Sequence, residues 1–114
     1  MKRSINLERK EARLQQLISS IVTNDLTNVN IINPVVVDCL LSGDMAHVKV
    51  FVVLDGNQEK GLQALNNAAG FIRSVLSKSL DWRTVPQVQF KLDNVSKTGY
   101  KIDEILRSIK EENN

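Results

Sequence analysis

The sequence predicts an α+β domain with helices on one face of a three-stranded sheet, in the order α-β-β-α-α-β-α. Two kinds of apolar spacing predict it. Residues at three- and four-residue steps mark the helices, and alternating residues mark the strands. The clearest case spans Leu62 to Phe90. Leu62, Leu65, Ala69, Ile72, Val75, Leu76 and Leu80 share one helical face. Gly70 interrupts that face, and a helix-interior glycine costs about 1 kcal/mol relative to alanine. A kinked helix pair at Gly70 is therefore expected, not one rod. Pro86 then stops the helical run, and Val88, Phe90 and Leu92 alternate as a strand.

The remaining elements follow in order. Leu7, Leu14, Leu17, Ile18, Ile21 and Val22 predict a first helix from about Asn6 to Thr23, capped by Asn6. Arg9, Lys10 and Arg13 share its polar face. The Asn-, Asp- and Thr-rich stretch 24–30 is a loop. Pro34 opens a β-branched strand that runs to Leu41. Ser42-Gly43-Asp44 is a turn, and Val48, Val50, Val52 and Leu54 line one side of the next strand. The two strands form an antiparallel hairpin. Residues 94–99 are loop-like, and Ile102, Ile105, Leu106 and Ile109 predict a last helix.

With 114 residues the chain is one domain, expected over residues 1–110 with a polar tail at 111–114. A hydrophobic content of 42% and a charged content of 25% are those of a soluble globular protein. The single cysteine excludes an internal disulfide and fits a reducing, cytoplasmic setting. No apolar run approaches the ~18 residues of a membrane span. Polar residues from Asn6 to Lys10 interrupt any signal-peptide core.

Charge is segregated along the chain. Residues 1–13 carry five bases and two acids, net +3. Residues 14–69 carry two bases and five acids, net −3. Residues 70–91 carry four bases and one acid, net +3 again. If the fold joins the two basic segments, they form the footprint that a phosphate backbone attracts. Mixed surface charge alone would look the same in a protein that binds no nucleic acid.

Signals for catalysis are sparse. His47 and Cys39 both lie in predicted strands, and no signature pairs them as base and nucleophile. Asp44 and Asp55 are turn formers. Gly56 and Gly61 lack the spacing of a phosphate-binding loop, and no Cys/His cluster has zinc spacing. No cofactor, metal or small-molecule substrate is expected. Ala68-Ala69-Gly70 is more informative. Small residues there allow close approach of a sugar-phosphate chain, and a helix starting at the bend offers amide groups to phosphate. The competing reading is that Gly70 only lets the helix pack on the sheet.

Several pieces together resemble the family of ribosome-binding factor A, bacterial small-subunit maturation factors with a type II KH-like fold. They are Asp44 with the strand Ala46-x-Val48-Lys49-Val50-Phe51-Val52, and the block from Ala64 to Gly70-Phe71-Ile72-Arg73. Leu80-x-x-Arg83-x-x-Pro86, then Phe90 and Asp93, and the Ile102, Ile105-Leu106, Ile109 stripe complete the match. In that family an Ala-x-Gly kink replaces the Gly-x-x-Gly loop of KH domains, and Ala68-Ala69-Gly70 fits it. The resemblance implies a monomeric, non-catalytic factor that binds the immature 30S subunit and its rRNA. It implies action in late 16S rRNA processing and in growth in the cold. One departure stands out: Leu26-Thr27-Asn28 replaces the family's Asp-Pro-Arg. A basic C-terminal extension is not expected to contribute.

The expected RNA contacts are Arg9, Lys10, Arg13, Ala68, Gly70, Arg73, Lys78 and Arg83. Arg73 has a second reading, as a partner of Asp81 or Glu59 that holds the corner. Arg83 also has a structural reading. Trp82 is either a base-stacking platform or a core residue. Two other classes remain: an adaptor recruiting a protein through the open sheet face, and a hydrolase or nuclease.

Overall fold

The computed structural model describes residues 4–93. The helix expected on Ile102 to Ile109, the loop at 94–99 and the polar tail lie outside the described residues. Helix α1 runs Ile5–Asn24. Its cap is Ser4, not Asn6: Ser4 is extended, and its Oγ accepts a hydrogen bond from the Leu7 amide at 3.0 Å. Leu14, Ile18, Ile21 and Val22 are buried along one stripe.

Strands β1 (Ile32–Leu41) and β2 (His47–Asp55) form the antiparallel hairpin. β1 begins two residues before Pro34, and Pro34 lies where the register slips between Ile32 and Val35. A bulge tolerates the missing amide hydrogen. Strand β3 (Gln87–Leu92) pairs parallel to β2, giving the order β1-β2-β3. A parallel pair needs a long crossover. Helices α2 (Gln58–Asn67) and α3 (Ala69–Ser79) supply it.

The two helices break at Ala68, two residues before Gly70. Ala68 sits at φ −90°, ψ 2°, and its amide is shared among the carbonyls of Ala64, Leu65 and Asn66. Gly70 is the second residue of α3, is exposed and has no positive φ. A Cβ there would meet nothing within 4 Å. The reading of Gly70 as a packing glycine is therefore corrected. Close packing is required at Gly61 instead, where a Cβ would lie 2.8 Å from the Asn30 carbonyl oxygen and 2.9 Å from Leu54 Cδ1.

α3 ends at Ser79, earlier than Pro86, because Leu80 turns extended to bury its side chain. Residues 80–86 form an irregular connection. Arg73 does not pair with Asp81 or Glu59; its Nε and Nη2 both donate to the Val85 carbonyl, at 3.1 and 3.0 Å. The fork thus anchors the end of this connection to α3. Buried Pro86 secures the same end.

All three helices cover one face of the sheet, where Val48, Val50, Val52, Leu54, Val88 and Phe90 point inward. The helices also bond to backbone groups on both outer strands. On β1, the Leu41 amide donates to Glu11 Oε2 at 2.6 Å and the Val37 carbonyl accepts from Gln15. On β3, Asn66 both donates to and accepts from the Phe90 backbone, at 3.2 and 2.8 Å. Replacement Gly61→Ala should destabilise the fold by about 1–3 kcal/mol, because a backbone carbonyl cannot yield as a side chain does. Denaturant unfolding would check this, and an unchanged midpoint would contradict it.

Candidate nucleic-acid interface

The polar face of α1 lies against the connection after α3. Arg9, Lys10 and Arg13 line a cleft of about 240 Å³ together with Ser79, Asp81 and Trp82. Lys10 is half-buried because its ammonium sits over the Trp82 ring, 4.7 Å from the centroid. Arg9 and Arg13 are exposed. A second cleft, about 320 Å³, shares Lys10 and Trp82 with the first and adds Asp44, Met45, Arg83 and Thr84. A third, about 480 Å³, shares Arg83 and Thr84 with the second and ends at Arg73 and Gly70. Shared lining residues link the three clefts in a series, here called the groove, from α1 to the corner. Among the described residues five cations line it, Arg9, Lys10, Arg13, Arg73 and Arg83, against the two acids Asp44 and Asp81.

Not every expected contact joins the groove. Lys78 is exposed in the last turn of α3 and lines none of these clefts. Ala68 packs against the core, which leaves its backbone to act at the corner. Arg73 is at once on the groove wall and tied to Val85. Among the described residues no side chain caps α3, and Gly70 in its first turn lines the third cleft. Ser74, Ser77 and Thr84 add hydroxyls that sequence reasoning did not single out. Ser74 and Ser77 share the α3 face of Gly70 and Arg73 at three- and four-residue steps, and the 80–86 connection brings Thr84 beside them.

Cys39 and His47 are separated by the sheet. Cys39 is buried on the helix-covered face, whereas His47 is exposed on the other. Burial, then the nearby Asp38 and Glu11 carboxylates, push the Cys39 thiol up to about 12. It is therefore protonated at neutral pH and a poor nucleophile. Among the described residues no group of three or more His, Cys, Asp or Glu side chains is arranged to hold a metal. Asp44 carries a lowered pKa. Its main cause is the Ser42 hydroxyl, which donates to Oδ1 at 2.7 Å, followed by the Ala46 amide at 3.0 Å.

An α-β-β-α-α-β domain with a kinked central helix pair is a KH-like fold. A solved Thermus thermophilus structure of ribosome-binding factor A superposes with a TM-score of 0.73 at 22% identity, over 75% of this chain and 93% of that one. Coordinates of the Thermus factor fitted into a cryo-EM map of its 30S complex superpose with a TM-score of 0.67 at 23% identity, over 75% of this chain and 93% of that one. Ribosome-binding factor A of Mycoplasmopsis agalactiae is 50% identical over 112 residues, covering 98% of this chain and 99% of the relative. The family model described as ribosome-binding factor A matches residues 6–106. The chain belongs to the ribosome-binding factor A family.

The open space at Gly70 and the burial of Cys39 can each be tested. Gly70→Ala should raise stability by about 0.5–1 kcal/mol, since the helical φ suits alanine and nothing obstructs the methyl. A higher melting temperature would bear this out, and a lower one would restore the packing role. The raised Cys39 pKa favours the fold fully below the thiol's ordinary 9.0, and that contribution is lost as pH climbs toward about 12. Iodoacetamide should accordingly spare native Cys39 at pH 8 and label it once denaturant is added.

Proposed function

We propose that this protein is a non-catalytic assembly factor that docks on the immature small ribosomal subunit by binding its rRNA. It would act in the cytoplasm during late 16S rRNA processing, including growth in the cold. One observation carries the reading. The α1 cations and the Gly70 corner, far apart in sequence, line one groove. Membership in a family named for ribosome binding supports it, as does the 30S complex reported for the Thermus relative.

The physics of docking is electrostatic. Arg9, Lys10, Arg13 and Arg83 neutralise phosphates and release counterions. At the corner the missing Gly70 side chain lets the backbone approach a sugar-phosphate chain, with the α3 amide groups facing it. No bond is made or broken. Other KH domains clamp nucleic-acid backbone at an equivalent helix-helix junction.

A second reading is favoured by the open sheet face. Val35, Val37 and Leu40 are exposed there at 56%, 38% and 45%, beside half-buried Phe51 and Val53. An adaptor would recruit a protein through this apolar strip.

A salt series on subunit binding separates the two. In the double variant Arg9→Glu, Arg13→Glu, affinity for purified small subunits should fall. The slope of log K against log salt should flatten by roughly 0.7–0.9 for each phosphate that is no longer neutralised. Affinity that ignores both the substitutions and added salt would sink the RNA reading in favour of the adaptor.

A further inference from the structure

We propose that the middle cleft is a seat for one unpaired base of single-stranded RNA, with guanine preferred over uracil. The proposal deepens the RNA reading and rests on it. Its walls are Lys10, Asp44, Met45, Trp82, Arg83 and Thr84 around about 320 Å³, within the range of small-ligand sites.

The wall chemistry is that of base recognition. Trp82 is only half-buried, and the Lys10 ammonium rests on its exposed ring. Base-aromatic stacking is a stronger contact than an exposed cation–π pair. An incoming base therefore displaces Lys10 from the ring, and Lys10 turns to the adjoining phosphate. Arg83 stands on another wall of the cleft for a neighbouring phosphate. Met45 supplies a polarizable apolar wall.

Asp44 reads the base edge. The turn that carries it is locked: Ser42 Oγ and the Ala46 amide both donate to Oδ1, and the Met45 amide donates to the Ser42 carbonyl. Met45 is held at φ 61°, a left-handed conformation that a non-glycine residue adopts only under constraint. Both of those bonds fall on Oδ1, and Asp44's own amide adds a further hydrogen bond to the carboxylate. The carboxylate stays ionised because its hydrogen bonds favour the charged form. The exposed Asp44 carboxylate is thus an ionised acceptor held beside the cleft by its turn. Guanine presents imino and amino donors side by side, with O6 left for the Thr84 hydroxyl. Uracil flanks its single imino donor with two carbonyl oxygens, which a carboxylate repels.

The test uses the full chain and three labelled RNAs: an all-uridine oligomer, the same oligomer with one central guanosine, and the same with one central abasic site. Trp82 is the sole tryptophan, so its fluorescence reports the seat directly. The guanosine oligomer should quench Trp82 and bind about tenfold more tightly than the abasic one by anisotropy. Asp44→Asn should bring guanosine and uridine to equal affinity. Trp82→Leu should remove the base-dependent part and keep the salt-dependent part, while Trp82→Tyr, which retains a stacking face, should restore it. Equal affinity of the wild type for all three RNAs, or an unchanged ranking in Trp82→Leu, overturns the seat. Co-sedimentation with small subunits assigns the failure. Wild type that sediments but ranks the RNAs equally loses only the seat, and wild type that binds neither subunits nor RNA loses the RNA reading as well.

Discussion

The pairing of β2 on both sides is the constraint on which the rest of the molecule depends. Val48, Val50, Val52 and Leu54 are each no more than 1% exposed, and every helix packs over the face they form. Burial of four branched side chains at about 25 cal/mol per Å² makes this face the main source of stability. Because β2 takes β1 antiparallel and β3 parallel, the chain must cross over between β2 and β3. That crossover is the kinked pair, and the corner at Ala68 lies within it.

The helices also close what the sheet leaves open. Glu11 and Gln15 reach from α1 to the outer edge of β1, and Asn66 reaches from α2 to the outer edge of β3. These bonds fix where α1 stands relative to the 80–86 connection. The Arg73 fork onto the Val85 carbonyl then holds that connection. The groove is a loop wall carried on a rigid scaffold, the arrangement in which binding residues are commonly found. Arg73 both lines a cleft and ties its wall to α3 through the fork on the Val85 carbonyl.

Two glycines divide the roles between packing and approach. Gly61 lacks a side chain because the Asn30 carbonyl already occupies the space. Gly70 lacks one with open space before it, so its absence cannot be explained by the protein's own interior. A glycine at an exposed helix position costs about 1 kcal/mol relative to alanine, and no contact within the described residues requires it.

Periodicity by itself determined the element order, the core faces and the hairpin, because burial of one face imposes a step of two or of three to four residues whatever the tertiary partner. The family motifs around Gly70 and Arg83 were legible for the same reason, as local patterns in the chain. Only tertiary structure decided the rest. It moved the helix break to Ala68, set Arg73 on Val85 instead of an acid, and placed Cys39 and His47 on opposite faces of the sheet. It also brought Asp44, Trp82 and Lys10 around one cleft. Lys10 meets Trp82, and Arg73 meets Val85, through a ring face and a carbonyl that carry no periodic signature, so no local pattern in the chain can encode these contacts.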